Sequence, residues 1–255
     1  MNEPTDVFLP ATPTRKLWSD PIRCRPVDGH DLQQFLAHTG VSDYLRAGDV
    51  DALAGQLLTF DVPARTTIFA QGQPGDRFFI IIEGKVKIVQ RTPRGRESLL
   101  ALLGPTDMFG ELALLDPGPR TSTATTISRV KAVSMDHGAL HFWIAQRPHV
   151  AEQLLGALAR RLQRTDDHIV DMIFTDVPGR VAKQLLHLAA RFGATDSAGL
   201  RVRHDLSQKE LSQLVGSSRE TVNKALVAFE QRGWIAMEPK GVIILDHRAL
   251  ARRSR

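Results

Sequence analysis

Cysteine is almost missing from this chain: Cys24 is the only one in 255 residues. That excludes a disulfide framework and any all-cysteine zinc or iron–sulfur site. No uninterrupted apolar run approaches a membrane span, and the polar, proline-bearing N-terminus is not that of a signal peptide. A soluble, cytoplasmic protein is the expectation. The nucleophile–base pairs and metal-ligand spacings of an enzyme are missing too, so neither a catalytic centre nor a metal site is expected. What is present is ordinary globular material, 42% hydrophobic and 24% charged, which rules out wholesale disorder and collagen-like repeats. The length suits one large domain or two to three small ones.

The net charge of +5 is unevenly placed. Residues 178–255 hold 14 Lys/Arg against 7 Asp/Glu, whereas the other 177 residues hold 19 against 21. A basic C-terminal third on a near-neutral body points either to a polyanion partner or to a solvated surface with a basic tail (Arg252, Arg253, Arg255).

Five of the fourteen prolines fall in the first 26 residues, so residues 1–40 read as a flexible N-terminal extension. From Phe60 to Asp136 short apolar stretches alternate with glycine and proline. The stretches Thr67–Ala70, Phe78–Ile82, Val86–Val89, Leu99–Leu103 and Val130–Met135 have strand length, and turn signals separate them. An antiparallel sandwich or barrel is expected, since no amphipathic helix interrupts the run as a parallel α/β sheet would require.

Beyond Pro148 the period changes. Val150, Leu154, Leu158, Leu162, Thr165, Ile169 and Met172 step by fours and threes, predicting a helix of roughly 37 Å with a narrow apolar stripe. The stripe suits either a two-helix dimer seam or packing on its own domain. Thr165 interrupts it, followed by Asp166 and Asp167, and polar residues on a seam cost stability unless they fix register or bind something.

After Pro178-Gly179, Val181, Leu185, Leu188 and Ala189 form one helical face that ends at Gly193. Ser207-Gln-Lys-Glu210 and Ser217-Ser-Arg-Glu220 both read as capping boxes, each ahead of a short apolar stripe, with Gly216 in the turn between them. Trp234-Ile235 and Val242–Leu245 flank Glu238-Pro-Lys-Gly241 as a hairpin. The unit is a winged helix-turn-helix pattern. In its second helix Val222, Ala225, Leu226 and Phe229 share the buried face, which leaves Arg219, Glu220, Asn223 and Lys224 outward or flanking. Arg219 suits bidentate contact with guanine, and Glu220 either accepts from cytosine or only closes its capping box. A cation in the first helical turn opposes the macrodipole, so Arg219 needs a reason to be there.

The stretch Met108-Phe-Gly-Glu-Leu-Ala-Leu-Leu-Asp-Pro-Gly-Pro-Arg-Thr-Ser-Thr-Ala124 joins a short turn to one arginine among small hydroxyl residues. It is an anion site in outline, or a turn with a surface arginine.

Phe109-Gly-Glu-Leu…Pro119-Arg-Thr-Ser resembles the phosphate-binding cassette of cyclic-nucleotide-binding domains. Ser217-Ser-Arg-Glu-Thr-Val222 resembles the recognition-helix signature of the CRP/FNR transcription regulators. The two occur in that family's order, and the match is closest to its cyclic AMP receptor protein branch. The resemblance implies an α+β fold: an antiparallel β-roll (jelly-roll) cyclic-nucleotide-binding domain over 41–147, a dimerisation helix over 148–177, and a winged helix-turn-helix over 178–255. It implies a homodimer that responds to cyclic AMP, binds a pseudo-palindromic double-stranded DNA site, and works with RNA polymerase. By position, Gly110, Glu111 and Leu112 would lie at the ribose, and Arg120 and Thr121 at the cyclic phosphate. Thr165, with Asp166 of the partner copy, would lie at adenine. Ser217, Ser218, Arg219, Glu220, Asn223 and Lys224 would lie at DNA. Two departures stand out: Lys224 where arginine is common, and Asp166 where a small neutral polar residue is usual. The resemblance implies no iron–sulfur cluster, haem or metal. Rival readings are the same fold with another ligand or none, and a sensing module that acts on a protein partner.

Overall fold

A computed structural model describes residues 23–27, 57–112, 116, 118–146 and 148–254. Of the expected extension, only 23–27 lies among them. The N-terminal half holds strands β1 (Arg23–Pro26), β2 (Leu58–Val62), β3 (Thr67–Phe69), β4 (Arg77–Glu83), β5 (Val86–Arg91), β6 (Glu97–Leu103), β7 (Met108–Phe109), β8 (Thr123–Thr126) and β9 (Val130–Asp136). They form two antiparallel sheets, ordered β1-β2-β9-β4-β7 and β3-β8-β5-β6. Phe60, Ile68, Phe69, Phe79, Ile81, Ile88, Phe109, Ala124 and Ala132 fill the space between the sheets.

Strand β4 is apolar on both faces for a reason. Phe79 and Ile81 point between the sheets, while Phe78 and Ile82 join Val133, Met135 and Leu140 in a second cluster on the outer side. That outer cluster is covered by α1 (His137–Gln146) and by Leu154 of the long helix α2 (Pro148–Phe174). Strand β1 corrects the expectation for residues 1–40. Arg23–Pro26 pairs with Leu58–Val62, so this part of the extension belongs to the sheet and the β-domain does not begin at 41.

The C-terminal half is α3 (Val177–Phe192), hairpin β10 (Gly193–Asp196) and β11 (Gly199–Arg203), α4 (Gln208–Val215), α5 (Arg219–Gln231), wing strands β12 (Ile235–Glu238) and β13 (Gly241–Ile244), and α6 (His247–Arg253). Its sheet runs β10-β11-β13-β12. Of the expected basic tail, Arg252 and Arg253 close helix α6: Ala249 and Leu250 are buried, and Arg253 pairs with Asp176, the N-cap of α3. One buried cluster joins α3–α6 to the wing and also takes in Leu99 and Leu102 of β6, so the two halves share apolar contact.

Candidate functional site

The first site lies at the mouth of the β-roll. Phe69, Ile88, Phe109, Gly110, Glu111, Leu112, Arg120, Thr121, Ser122 and Arg161 line a cleft open to solvent, with about 330 Å³ of space that extends out into its mouth. Its floor is a ring cluster in which Phe79 stacks on Phe109 at 5.1 Å and Phe69 lies 5.9 Å from Phe109. The Arg120 guanidinium sits 4.2 Å over the Phe69 ring, a cation–π contact. Its Nη1 donates to Gly110 O (2.7 Å) and its Nη2 to Arg77 O (2.7 Å), which fixes the fork in place. Gly110 is required here. Its φ is +82°, and a Cβ would stand 2.8 Å from Arg120 Nη1.

The electrostatics of the cleft are unusual. Arg120 is buried, and burial draws its pKa below the usual arginine value while Asp76 and Glu111 push it back up. Guanidinium remains charged in proteins, so a buried positive charge stands in the cleft. Glu111 is also buried, and its Oε1 accepts from Arg161 Nη1 of α2. Among the described residues, Glu111 Oε2 and Arg120 Nε are both buried with no hydrogen-bond partner. Buried polar atoms left unpaired cost roughly 1–3 kcal/mol each, so both call for a ligand.

The sequence expectations map unevenly onto this cleft. Gly110, Glu111, Leu112, Arg120 and Thr121 come together in it. Thr165 and Asp166 do not; both are exposed on α2, with Thr165 Oγ1 donating to Arg161 O (3.1 Å). Arg161, Phe69 and Ile88 were missed. Arg161 stands one helical turn before Thr165, and that i, i+4 spacing is the signal that could have found it.

The second site is the helix-turn-helix. Ser207 and Glu210 form the expected capping box of α4, which ends at Gly216 in the left-handed conformation (φ 70°). A Cβ at Gly216 would meet Met172 Cε of α2 at 2.4 Å, so the turn packs directly on the long helix. The second capping box is corrected. Ser218, not Ser217, caps α5, and its hydroxyl accepts from Thr221 N, so Thr221 and not Glu220 occupies the third helical position. Glu220 instead pairs with Lys224 at 2.9 Å, and both side chains are more than 70% exposed. Glu220 is thus free of a capping role. Arg219 is exposed and bonds through Nε and Nη2 to Gln208 Oε1 (3.3 and 3.2 Å), while Gln208 Nε2 donates to Asn223 Oδ1 (3.2 Å). Gln208, the first residue of α4, was also missed, since a polar residue beside a cap carries no sequence signal of its own.

A ligand cleft of this make-up on a β-roll, followed by a long helix and a winged helix-turn-helix, defines a cyclic-nucleotide-binding, DNA-binding regulator. Comparison with known proteins agrees. The cyclic nucleotide-binding domain family matches residues 59–147, and the Crp-like helix-turn-helix domain family matches residues 179–253. The chain is 58% identical over 224 residues to the CRP-like cAMP-activated global transcriptional regulator of Mycobacterium tuberculosis, spanning 88% of this chain and 100% of that protein. The crystal structure of a CRP-family transcriptional regulator from Thermus thermophilus is 29% identical with a TM-score of 0.62, covering 76% of this chain and 95% of its own. FixK2 from Bradyrhizobium japonicum shares the fold at a TM-score of 0.69 and 20% identity, covering 77% and 96%. The chain belongs to the CRP/FNR family of transcription regulators, in its cyclic AMP receptor protein branch. It is a regulator and not an enzyme.

Proposed function

We propose that this protein is a cytoplasmic, cyclic AMP-responsive homodimer that binds a pseudo-palindromic DNA site and regulates transcription with RNA polymerase. The observation that carries the ligand reading is the pair of orphaned buried atoms, Glu111 Oε2 and Arg120 Nε, in one cleft. A cyclic nucleotide offers what these atoms lack, a ribose hydroxyl donor for the carboxylate and a phosphate anion for the guanidinium. Gly110, Glu111 and Leu112 would hold the ribose side, and Arg120 and Thr121 the phosphate. Cyclic AMP is the nucleotide named in the 58%-identical relative.

The apolar residues Leu155, Leu162, Ile169 and Ile173 of α2 are each more than half exposed. At about 100° per residue they fall on one side of the helix, and Thr165 and Asp166 fall on that side as well. A second copy laid along this stripe covers it and brings Thr165 of one chain and Asp166 of the other to the ligand. The domains divide the work accordingly: the β-roll binds nucleotide, residues 148–177 pair the subunits, and residues 178–255 bind DNA.

Signal transmission follows from Arg161. It belongs to the pairing helix yet reaches the nucleotide cleft through Glu111, so a change in the partner of Glu111 bears directly on α2. Met172 of the same helix packs on the helix-turn-helix turn. Ligand would act by favouring the arrangement of α2 and recognition helices that fits two half-sites about one DNA turn apart.

Calorimetry on the full chain tests the cleft. Arg120→Ala removes a charged hydrogen bond worth about 1.5–3 kcal/mol, so cyclic AMP should bind at least tenfold more weakly while circular dichroism is unchanged. Unchanged affinity would remove Arg120 from the site.

A further inference from the structure

The hairpin of β5 and β6 belongs to the sensing domain but is fastened along its length to the helix-turn-helix. On β5, Lys87 Nζ donates to Glu210 Oε1 (2.6 Å) and Val89 packs on the DNA-binding core; just before the strand, Lys85 Nζ donates to Asp205 Oδ2 (2.6 Å). On β6, Glu97 O accepts from Gln213 Nε2 (2.8 Å), and Leu99 and Leu102 are buried in the cluster that holds Leu211 and Leu214. Glu210 is the same residue that closes the α4 capping box, so the sensor strand grips α4 at its start.

The tip of this hairpin, Thr92–Arg96, is exposed but well formed. Thr92 N donates to Arg96 O (2.8 Å), Gly95 N donates to Thr92 O (2.8 Å), and Gly95 takes φ +76°. Gln71 holds the base from the side, donating to Arg91 O (3.0 Å) and accepting from Arg91 N (2.8 Å). The tip carries Arg91, Arg94 and Arg96 against Glu97, and Arg91 already pairs with Glu97. Arg94 and Arg96 make no ion pair among the described residues. Lys209, next to Gln208 on α4, is also exposed. The tether sets the hairpin that carries Arg94 and Arg96 alongside α4, which bears the exposed Lys209 and bonds through Gln208 to Arg219 of the recognition helix. Gathered cations repel one another, and a polyanion relieves that repulsion.

We propose that the β5–β6 hairpin is an auxiliary DNA contact, with Arg94 and Arg96 gripping sugar-phosphate backbone flanking the bases that α5 reads. The first helix of a helix-turn-helix crosses the DNA backbone, and the hairpin tied alongside α4 extends that phosphate grip from the sensing domain. The inference rests on the DNA-reading role of α5. The contact carries no sequence information of its own.

Fluorescence anisotropy of the full chain with cyclic AMP, on a selected site and on a scrambled duplex, tests it across about 50 to 200 mM salt. Each phosphate contact contributes about 0.9 to the log–log salt slope, and a dimer brings four of these arginines, so Arg94→Ser/Arg96→Ser should flatten it by about 3.6. At the low-salt end this variant should lose roughly tenfold or more affinity relative to wild type, equally on both duplexes. Arg94→Lys/Arg96→Lys, which keeps the charges, should keep the slope. An unchanged slope in the serine variant, or a loss confined to the selected site, overturns the proposal. Failure of the underlying reading shows separately, as Arg219→Ala leaving the preference for the selected site intact.

Discussion

Asp166 is one of the two positions at which the sequence departs from the pattern it resembles, and its surroundings give the departure meaning. It is exposed beside Leu162, Ile169 and Ile173 on a stripe that is otherwise apolar. A carboxylate on such a stripe is costly to cover unless a donor meets it. The exocyclic amino group of adenine is such a donor, whereas guanine presents a carbonyl oxygen at that position, setting acceptor against acceptor. Asp166→Ala should therefore lower the preference for cyclic AMP over cyclic GMP, chiefly by weakening cyclic AMP, as calorimetry with both nucleotides would read. An unchanged ratio would make Asp166 a surface residue. The cassette residues from Gly110 to Thr121 were legible because they are close in the chain and chemically distinctive. Arg161 was not, since its partner Glu111 lies 50 positions away and only folding makes them neighbours.

Elements differed in the same way. The α4 capping box could be read letter by letter because its partners, Ser207 and Glu210, are local. Strand β8, Thr-Ala-Thr-Thr, has no apolar run and exists because β5 and β3 pair with it on either side. Helix α1 lacks an apolar stripe, which hid it from periodicity. Buried His204, in the turn from β11 to α4, accepts from Leu206 N through Nδ1 (3.1 Å). Burial, the larger influence, lowers its pKa from 6.5 to about 4, partly opposed by Asp205. Between those values the unfolded chain holds more protons than the folded one, so the stabilisation is complete above the unfolded value and is lost as pH falls toward the folded one. The effect is at most about 3 kcal/mol. Urea unfolding at pH about 7 and about 5 should show this loss, and His204→Gln should flatten it. An equal pH dependence in the variant would show that other groups carry it.

At the scale of the whole molecule, Leu155, Leu162, Ile169 and Ile173 of α2 stand exposed on the surface where the proposed pairing would close. Ile169 is about half exposed, so covering the rest on pairing is worth about 1 kcal/mol per copy, and a glutamate there would also have to be buried charged. Ile169→Glu should therefore weaken association at least a hundredfold. If the proposed pairing holds, sedimentation would show a dimeric wild type and a monomeric variant; a persisting dimer would place the interface elsewhere. The stripe was visible in the sequence as a heptad-like spacing, but its upper part serves a second purpose. Leu154 packs on the chain's own β-roll, while Leu162 and Ile169 stand exposed. Periodicity reports which residues share a face and says nothing of what covers it. By itself, then, the sequence determined the order of the domains, the cassette, the cap of α4 and the outward face of α5, because each rests on interactions between residues a few positions apart. Only the tertiary structure decided that Arg161 reaches Glu111, that Arg23–Pro26 joins the sheet, and that the sensor hairpin is tied to α4. Those outcomes depend on burial and pairing between distant segments, whose free energy no local pattern encodes.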